Sequence, residues 1–349
     1  IYTLSLHDAL PILEKKVRFG LIGVGKIAPI HAEAIRSAQG GELVAVAGRR
    51  EDKVKAFAET YKIDGYTDYK EMLKRDDIDV VVITTPSGTH ADIGIDVAKA
   101  GKHVMVEKPM DITLEKADKL IRSCEEAGVK LSVIFQLRFM EESRRAKALI
   151  DDGTLGKVVL GDGYLKFHRS PEYYRDGGWR GTWEMDGGAA LMNQGIHGID
   201  LLQWLMGPVK SVYALTKTLV HNIHAEDTAA ALLDFESGAI GVIEGTTSIY
   251  PDLCQVIQIQ GSKGAFCLKG TEVPKITFLE TVCGRSERIK DEWADDLGEG
   301  HRLQMEDMIS AVLEDRTPTI DGYEGRKALE IVLAIYESGR RGQPVELPL

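Results

Sequence analysis

Directly after the apolar run Val17-Arg18-Phe19-Gly20-Leu21-Ile22 the chain reads Gly23-Val24-Gly25-Lys26-Ile27-Ala28, and a helix-type pattern follows to Ala38. A G-x-G-x-x-A turn between a strand and a helix leaves few options. Gly23 permits the tight turn, Gly25 lets the backbone approach a pyrophosphate, and Ala28 lets the helix pack close to the sheet. Lys26 and Ile27 lie in the turn that opens the helix, whose first N–H groups are free to meet phosphate. Pro29 is tolerated because it falls in the first helical turn.

The unit then repeats. Leu43 to Ala47, Val80 to Ile83, His103 to Val106 and Lys130 to Phe135 are short, nearly all-apolar runs separated by helical patterns. Strands apolar on both sides and alternating with helices build a parallel sheet covered on both faces. The fold class expected is α/β, with an N-terminal doubly wound Rossmann sheet over residues 13–136. Past Arg138 the rhythm changes to strands in series with hairpin turns. That pattern predicts an α+β domain over 137–349, with an open, largely antiparallel sheet. Ile1 to Ile12 has neither a basic start nor a small-residue cleavage site, so it is read as a non-native leader and not as a secretory signal.

Composition narrows the partners. Lys plus Arg number 43 against 54 Asp plus Glu, a net charge of -11. A nucleic-acid partner needs a basic surface to release counterions, so none is expected. No apolar run is long enough to span a bilayer. The four cysteines, Cys124, Cys254, Cys267 and Cys283, form no C-x-x-C pair, which fits reduced thiols in the cytoplasm and no metal site.

The end of the second strand bears on the cofactor. An acid there would hydrogen-bond the adenosine ribose, but the chain has Ala47-Gly48-Arg49-Arg50. Two guanidiniums without an acid suit a 2′-phosphate, so NAD(P), leaning to NADP, is expected. Glu107-Lys108-Pro109 follows the fifth strand, at the sheet edge where ligands bind. A lysine there can steady a developing alkoxide. Farther on, Asn193 and His197 are spaced i, i+4 on a helix expected from Ala189 to Met206, among the glycines Gly195 and Gly198. Histidine suits acid–base work near neutral pH.

Taken together, the glycine fingerprint, T-P-x-x-x-H at Thr85 to His90, E-K-P, and G-G-x-x-x-x-N-x-x-x-H resemble the Gfo/Idh/MocA family of sugar oxidoreductases. The resemblance runs from about Val17 to the C-terminus. It implies a sugar or polyol substrate and a homo-oligomer, dimer or tetramer, assembled through the second sheet. It implies that Lys108 polarises the reacting hydroxyl and that His197 moves its proton. Thr85, Pro86, His90 and Glu107 would line the nicotinamide ribose. Where inositol-dehydrogenase-like members carry Asp this chain has Asn193, which cannot take a proton and is left to orient substrate. The segment from Arg169 to Trp183 is similar to the branch acting on C3 of nucleotide-linked amino sugars and glycosides. Its Tyr173, Trp179 and Trp183 offer faces for a sugar, and Arg180 a partner for an anion. Gln136 and Arg138, just past the sixth strand, are further candidates for the same pocket. A redox-cycling glycosidase, a sugar-to-sugar oxidoreductase with tightly bound cofactor, and a non-catalytic dinucleotide sensor stay open as alternatives.

Overall fold

The computed structural model describes residues 16–176, 178–288 and 298–349. The leader read at 1–12 lies outside the described residues. The first sheet has β1 (Val17–Ile22), β2 (Gly41–Ala47), β3 (Asp64–Tyr66), β4 (Val80–Ile83), β5 (His103–Val106) and β6 (Leu131–Val133), in the order β3-β2-β1-β4-β5-β6. All neighbours are parallel. The order reverses between β1 and β4, which opens a crevice at the carboxyl ends of those strands. Between the strands run α1 (Ala28–Ser37), α2 (Glu51–Tyr61), α3 (Tyr69–Leu73), α4 (His90–Lys99) and α5 (Leu114–Ala127). Val80 to Ile83 are all buried, as a strand covered on both faces must be.

After α6 (Glu141–Asp151) the chain enters a nine-stranded sheet. Its strands are β7 (Val158–Lys166), β8 (Val209–Lys217), β9 (Thr228–Phe235), β10 (Ile240–Thr246), β11 (Cys254–Gly261), β12 (Gly264–Lys269), β13 (Lys275–Thr281), β14 (Ser286–Arg288) and β15 (Val345–Glu346). All the pairings are antiparallel except β7 with β10. In β9 buried and exposed residues alternate, the period of a sheet with one covered face. The remaining helices are α7 (Pro171–Arg175), α8 (Ile196–Met206), α9 (Glu299–Leu313) and α10 (Gly322–Arg341). Met305, Met308 and Ile309 of α9 share an apolar core with Val17, Phe19 and Ile35, so this late segment completes the first layer. No helix among the described residues is long and apolar enough to cross a membrane.

Two expectations need correction. The helix anticipated from Ala189 to Met206 is not uniform: Ala190–Gly195 is a π-type turn, and the regular helix starts at Ile196. Its glycines serve close packing against β7. A Cβ on Gly198 would fall 2.2 Å from Leu165 Cδ2, and one on Gly195 3.1 Å from Leu165 Cδ1. Wide turns of this kind re-aim side chains, here Asn193.

The second correction concerns Arg138. Its Nε donates to Asp200 Oδ2 at 2.8 Å, Nη2 to Asp200 Oδ1, and Nη1 to Glu324 Oε2 at 2.9 Å, and its side chain is 4% exposed. A guanidinium whose three nitrogens are spent on the buried Asp200 and the half-buried Glu324 is not available to a substrate. Arg138→Ala would strand the buried Asp200 charge. We expect a loss of about 3–5 kcal/mol of stability, read as a shift in the denaturation midpoint.

Candidate active site

The crevice begins with the glycine turn. Gly23 has φ +115°, and a Cβ there would meet Thr84 O and Oγ1 at 2.7 Å. Only glycine passes both tests. A Cβ on Gly25 would find nothing nearer than Thr84 O at 3.9 Å, so this side of the turn is open for a ligand. Helix α1 begins at an Ile27 N-cap with no side-chain cap and no acid in its first turn. The Ala28 and Ile30 N–H groups are already bonded to Gly25 O and Ile27 O, so it is the positive end of the helix and the glycine turn before it that fit a diphosphate. Past β2, Gly48 lies against the turn, since a Cβ there would touch Val24 Cγ2 at 3.0 Å. Arg49 and Arg50 are exposed and form no ion pair with any described residue. These residues fit a dinucleotide.

Beyond β4 and β5 two loops meet. His90 is 1% exposed, and its Nδ1 and Nε2 lie 2.7 Å from Pro109 O and Thr85 O. It therefore ties the Thr85-Pro86 loop to the Glu107-Lys108-Pro109 loop instead of facing a ligand, a correction to its expected place beside the ribose. Thr85 Oγ1 in turn accepts from Thr89 at 2.8 Å. Glu107 is also turned inward. Its Oε1 accepts from His31 Nε2 at 2.7 Å and its Oε2 from the Lys108 N–H at 3.1 Å. Burial pushes its carboxyl up, but the His31 hydrogen bond and the positive charge of His31, Lys108 and His301 overrule it and hold Glu107 well below the usual range. Sequence spacing gave no sign of His31 or His301 as its partners.

Lys108 reaches across to the second domain. Its Nζ donates to the backbone oxygen of Asn193 at 2.7 Å, which leaves two donors for another oxygen. Burial lowers its ammonium, opposed by the charges of Glu107, Asp186 and Glu272. The Asn193 amide is fixed from both ends: Nδ2 donates to Asp186 Oδ1 at 2.6 Å and Oδ1 accepts from Gln194 Nε2 at 2.8 Å. One turn on, the His197 ring packs edge-on to Phe135 at 5.8 Å between centroids. Its Nδ1 is buried without a partner among the described residues. Burial, and secondly the Lys108 charge, push its imidazole well below the ordinary histidine range, so it is neutral at neutral pH.

Asp186, which the sequence reading left without a role, accepts from Gly181 N at 2.8 Å as well as from Asn193. Burial lifts its carboxyl to about 6. The proton is thus held more tightly in the folded state, so its stabilising contribution is complete below about pH 4 and lost as pH rises through 6. Asp186→Asn would offer one acceptor to two donors and turn one of the amides around. We expect a fall in turnover of about tenfold, the worth of one charge-assisted hydrogen bond. The variant should also flatten the pH dependence of thermal stability between pH 4 and 6.

On the far side, Tyr173 OH accepts from Gln194 Nε2 at 2.8 Å, and the Arg180 guanidinium lies 4.6 Å from the Tyr173 ring and 5.3 Å from Trp179. Arg180 has no ion pair among the described residues. Trp183 is 42% exposed and donates to His224 O at 2.9 Å. Gln136 is 6% exposed and packs by its carbonyl against Gly300. The fold thus gathers Lys108, Asn193 and His197, sets Tyr173, Trp179 and Arg180 in one cluster, and leaves Gln136 inside the protein.

The family descriptor "Oxidoreductase family, NAD-binding Rossmann fold" matches residues 17–135, and "GFO/IDH/MocA C-terminal domain" matches 143–267. The WlbA dehydrogenase from Bordetella pertussis, solved with NADH and UDP-GlcNAcA, is 37% identical with a TM-score of 0.86 over 96% of this chain and 100% of that one. The chain belongs to the Gfo/Idh/MocA oxidoreductases. A myo-inositol 2-dehydrogenase of Thermotoga maritima is 27% identical over 95% of this chain and 98% of its own. An aldose–aldose oxidoreductase from Caulobacter crescentus is 26% identical with a TM-score of 0.85, over 95% of this chain and 100% of that one. This chain is accordingly an NAD(P)-dependent oxidoreductase of the sugar and inositol dehydrogenase family, acting on a CH–OH group.

Proposed function

We propose that this Gfo/Idh/MocA member oxidises a secondary hydroxyl of a sugar, with C3 of a nucleotide-linked N-acetylamino sugar or its uronate as the preferred position. The observation that carries the chemistry is the convergence of Lys108 and His197 on the turn that holds Asn193. The substrate class rests on Arg180, whose unpaired guanidinium among aromatic rings suits an anionic sugar, and on the UDP-GlcNAcA complex of the 37% identical relative.

A bound nicotinamide supplies hydride transfer at its C4. Two donors of Lys108 hold the substrate oxygen and steady its negative charge. His197, neutral and with Nδ1 buried, takes the hydroxyl proton at Nε2. Asn193, fixed by Asp186 and Gln194, orients the ring. Intact Lys108 and His197 count against a sensor that does no chemistry.

Arg49 and Arg50 favour NADP. Replacing both with Ala is expected to raise the Kd for NADP by about 10- to 100-fold, one or two charge-assisted contacts, and to leave NAD binding unchanged. Equal losses for the two dinucleotides in a fluorescence titration would refute that preference. Against substrate, Arg180→Ala is the test: KM for a sugar uronate should rise while KM for its neutral counterpart holds.

A further inference from the structure

Four consecutive backbone N–H groups, Ala189 to Met192, open the turn that carries Asn193 and leads into α8. The first N–H groups of a helical segment find no partner inside it. Here all four are met from outside. Glu226 Oε2 accepts from Ala189 N at 3.1 Å, its backbone oxygen from Ala190 N at 3.2 Å, and its Oε1 from Leu191 N at 2.8 Å. Tyr336 OH accepts from Met192 N at 3.2 Å and itself donates to Glu226 Oε1 at 2.9 Å. One residue just before β9 and one on α10 thus hold four amides in a row.

This anchor uses a costly group. Glu226 is 2% exposed and forms no ion pair among the described residues. A buried carboxyl without a cation destabilises a fold unless hydrogen bonds offset it. Burial pushes this one up to about 7, against the pull of the donors on Leu191, Tyr336 and Ala189. A neutral carboxyl keeps acceptor capacity, so the anchor does not depend on the charge. Tyr336 reaches the turn because the chain before it leaves room: a Cβ on Gly188 would collide with the Tyr336 hydroxyl. The second glycine of G-G-x-x-x-x-N-x-x-x-H thereby has a physical reason. Downstream, the same turn presents the Asn193 backbone oxygen to Lys108 Nζ at 2.7 Å, and His197 stands in the first turn of α8.

We propose that Glu226 and Tyr336 are positioning residues for hydride transfer: by pinning the four amides they set where the Asn193 carbonyl meets Lys108 and where His197 enters its helix. The proposal rests on the reading that Lys108 and His197 do the chemistry, and both residues act through the turn.

The test uses the full chain with NAD and NADP and the uronate of UDP-linked N-acetylglucosamine. Tyr336→Phe removes only the hydroxyl and keeps the ring on which Trp183 packs edge-on at 5.2 Å, so this variant keeps its fold. Glu226→Gln turns one of the two accepting oxygens into a donor. Each change should lower kcat by about tenfold, the worth of one buried hydrogen bond, with KM and cofactor Kd held. In the Lys108→Ala background the same change should cost about twofold or less, because the carbonyl that the anchor aims has no lysine to meet. Amide hydrogen exchange supplies a readout free of turnover. Peptides spanning 187–197 should exchange about tenfold faster in either variant, with the rest of the chain unchanged. Unchanged exchange there would overturn the anchor. Equal losses in kcat and cofactor affinity, or the full tenfold repeated in Lys108→Ala, would overturn the positioning role and leave a structural one. A wild type that reduces neither dinucleotide with this sugar would sink the substrate reading instead, and the exchange data would still uphold or overturn the anchor.

Discussion

Replacing Lys108 with Ala is expected to lower kcat by about 10²–10³-fold, the worth of a donor aimed at a developing oxyanion. Cofactor affinity should hardly change, because the residues that fit the dinucleotide are on a different loop, at Gly23, Gly25 and the start of α1. The asymmetry is the diagnostic part. A lysine that only braced the fold would, on removal, free the Asn193 carbonyl and loosen the joint between the two layers, so cofactor affinity and kcat would fall together. Lys108→Arg should recover little, since a planar fork cannot reproduce a compact ammonium bound to Asn193 O at 2.7 Å. Equal losses in kcat and in cofactor affinity would remove Lys108 from the chemistry.

His197→Ala should cost about 10²–10⁴-fold in kcat, the range of a lost general base. The wild-type pH profile carries the sharper test. The folded ring holds its proton more weakly than a free imidazole, so it is fully basic already at pH 6.5. Oxidation should then show no histidine limb near pH 6.5, and activity should persist into the acid range until the depressed ionisation is reached. A limb at the ordinary histidine position, lost in His197→Ala, would mean a solvated ring and would undo the burial argument. Stability follows the same proton preference. The neutral ring is favoured in the fold, so this contribution is present above the ordinary histidine range and lost progressively as pH falls from there to the depressed ionisation of the folded ring.

Local patterns were readable wherever chemistry and backbone need the same residue. Gly23 and Gly25 announce the crevice because a turn, a close contact and an open face coincide in one short run. Lys108 and His197 were readable because each sits in a motif at a sheet edge or helix start. What escaped depends on pairing across the chain. Lys108 meets the backbone of a residue 85 positions away, Glu107 meets His31 76 positions away, and Arg138 meets Asp200 62 positions away. No local period encodes such pairs. Arg138 and His90 thus looked like ligand contacts when their donors are spent inside the protein. Asp186 passed unnoticed because only the wide turn at Ala190–Gly195 brings Asn193 onto it. The uniform helix expected there failed for the same reason: Leu165, on a distant strand, decides how close the glycines lie.

The most direct test of the central claim is absorbance at the reduced-nicotinamide band, with NAD and NADP each added to the purified chain against a panel of sugars. The panel holds inositols, simple glucosides, UDP-linked N-acetylglucosamine and its uronate. The expected result is a rise with a UDP-linked sugar, larger for the uronate, and abolished in Lys108→Ala. A rise with inositols alone would keep the dehydrogenase and overturn the substrate class. No rise with any sugar, from protein that releases a dinucleotide only on denaturation, would contradict the account and leave a redox-cycling glycosidase or a sugar-to-sugar oxidoreductase.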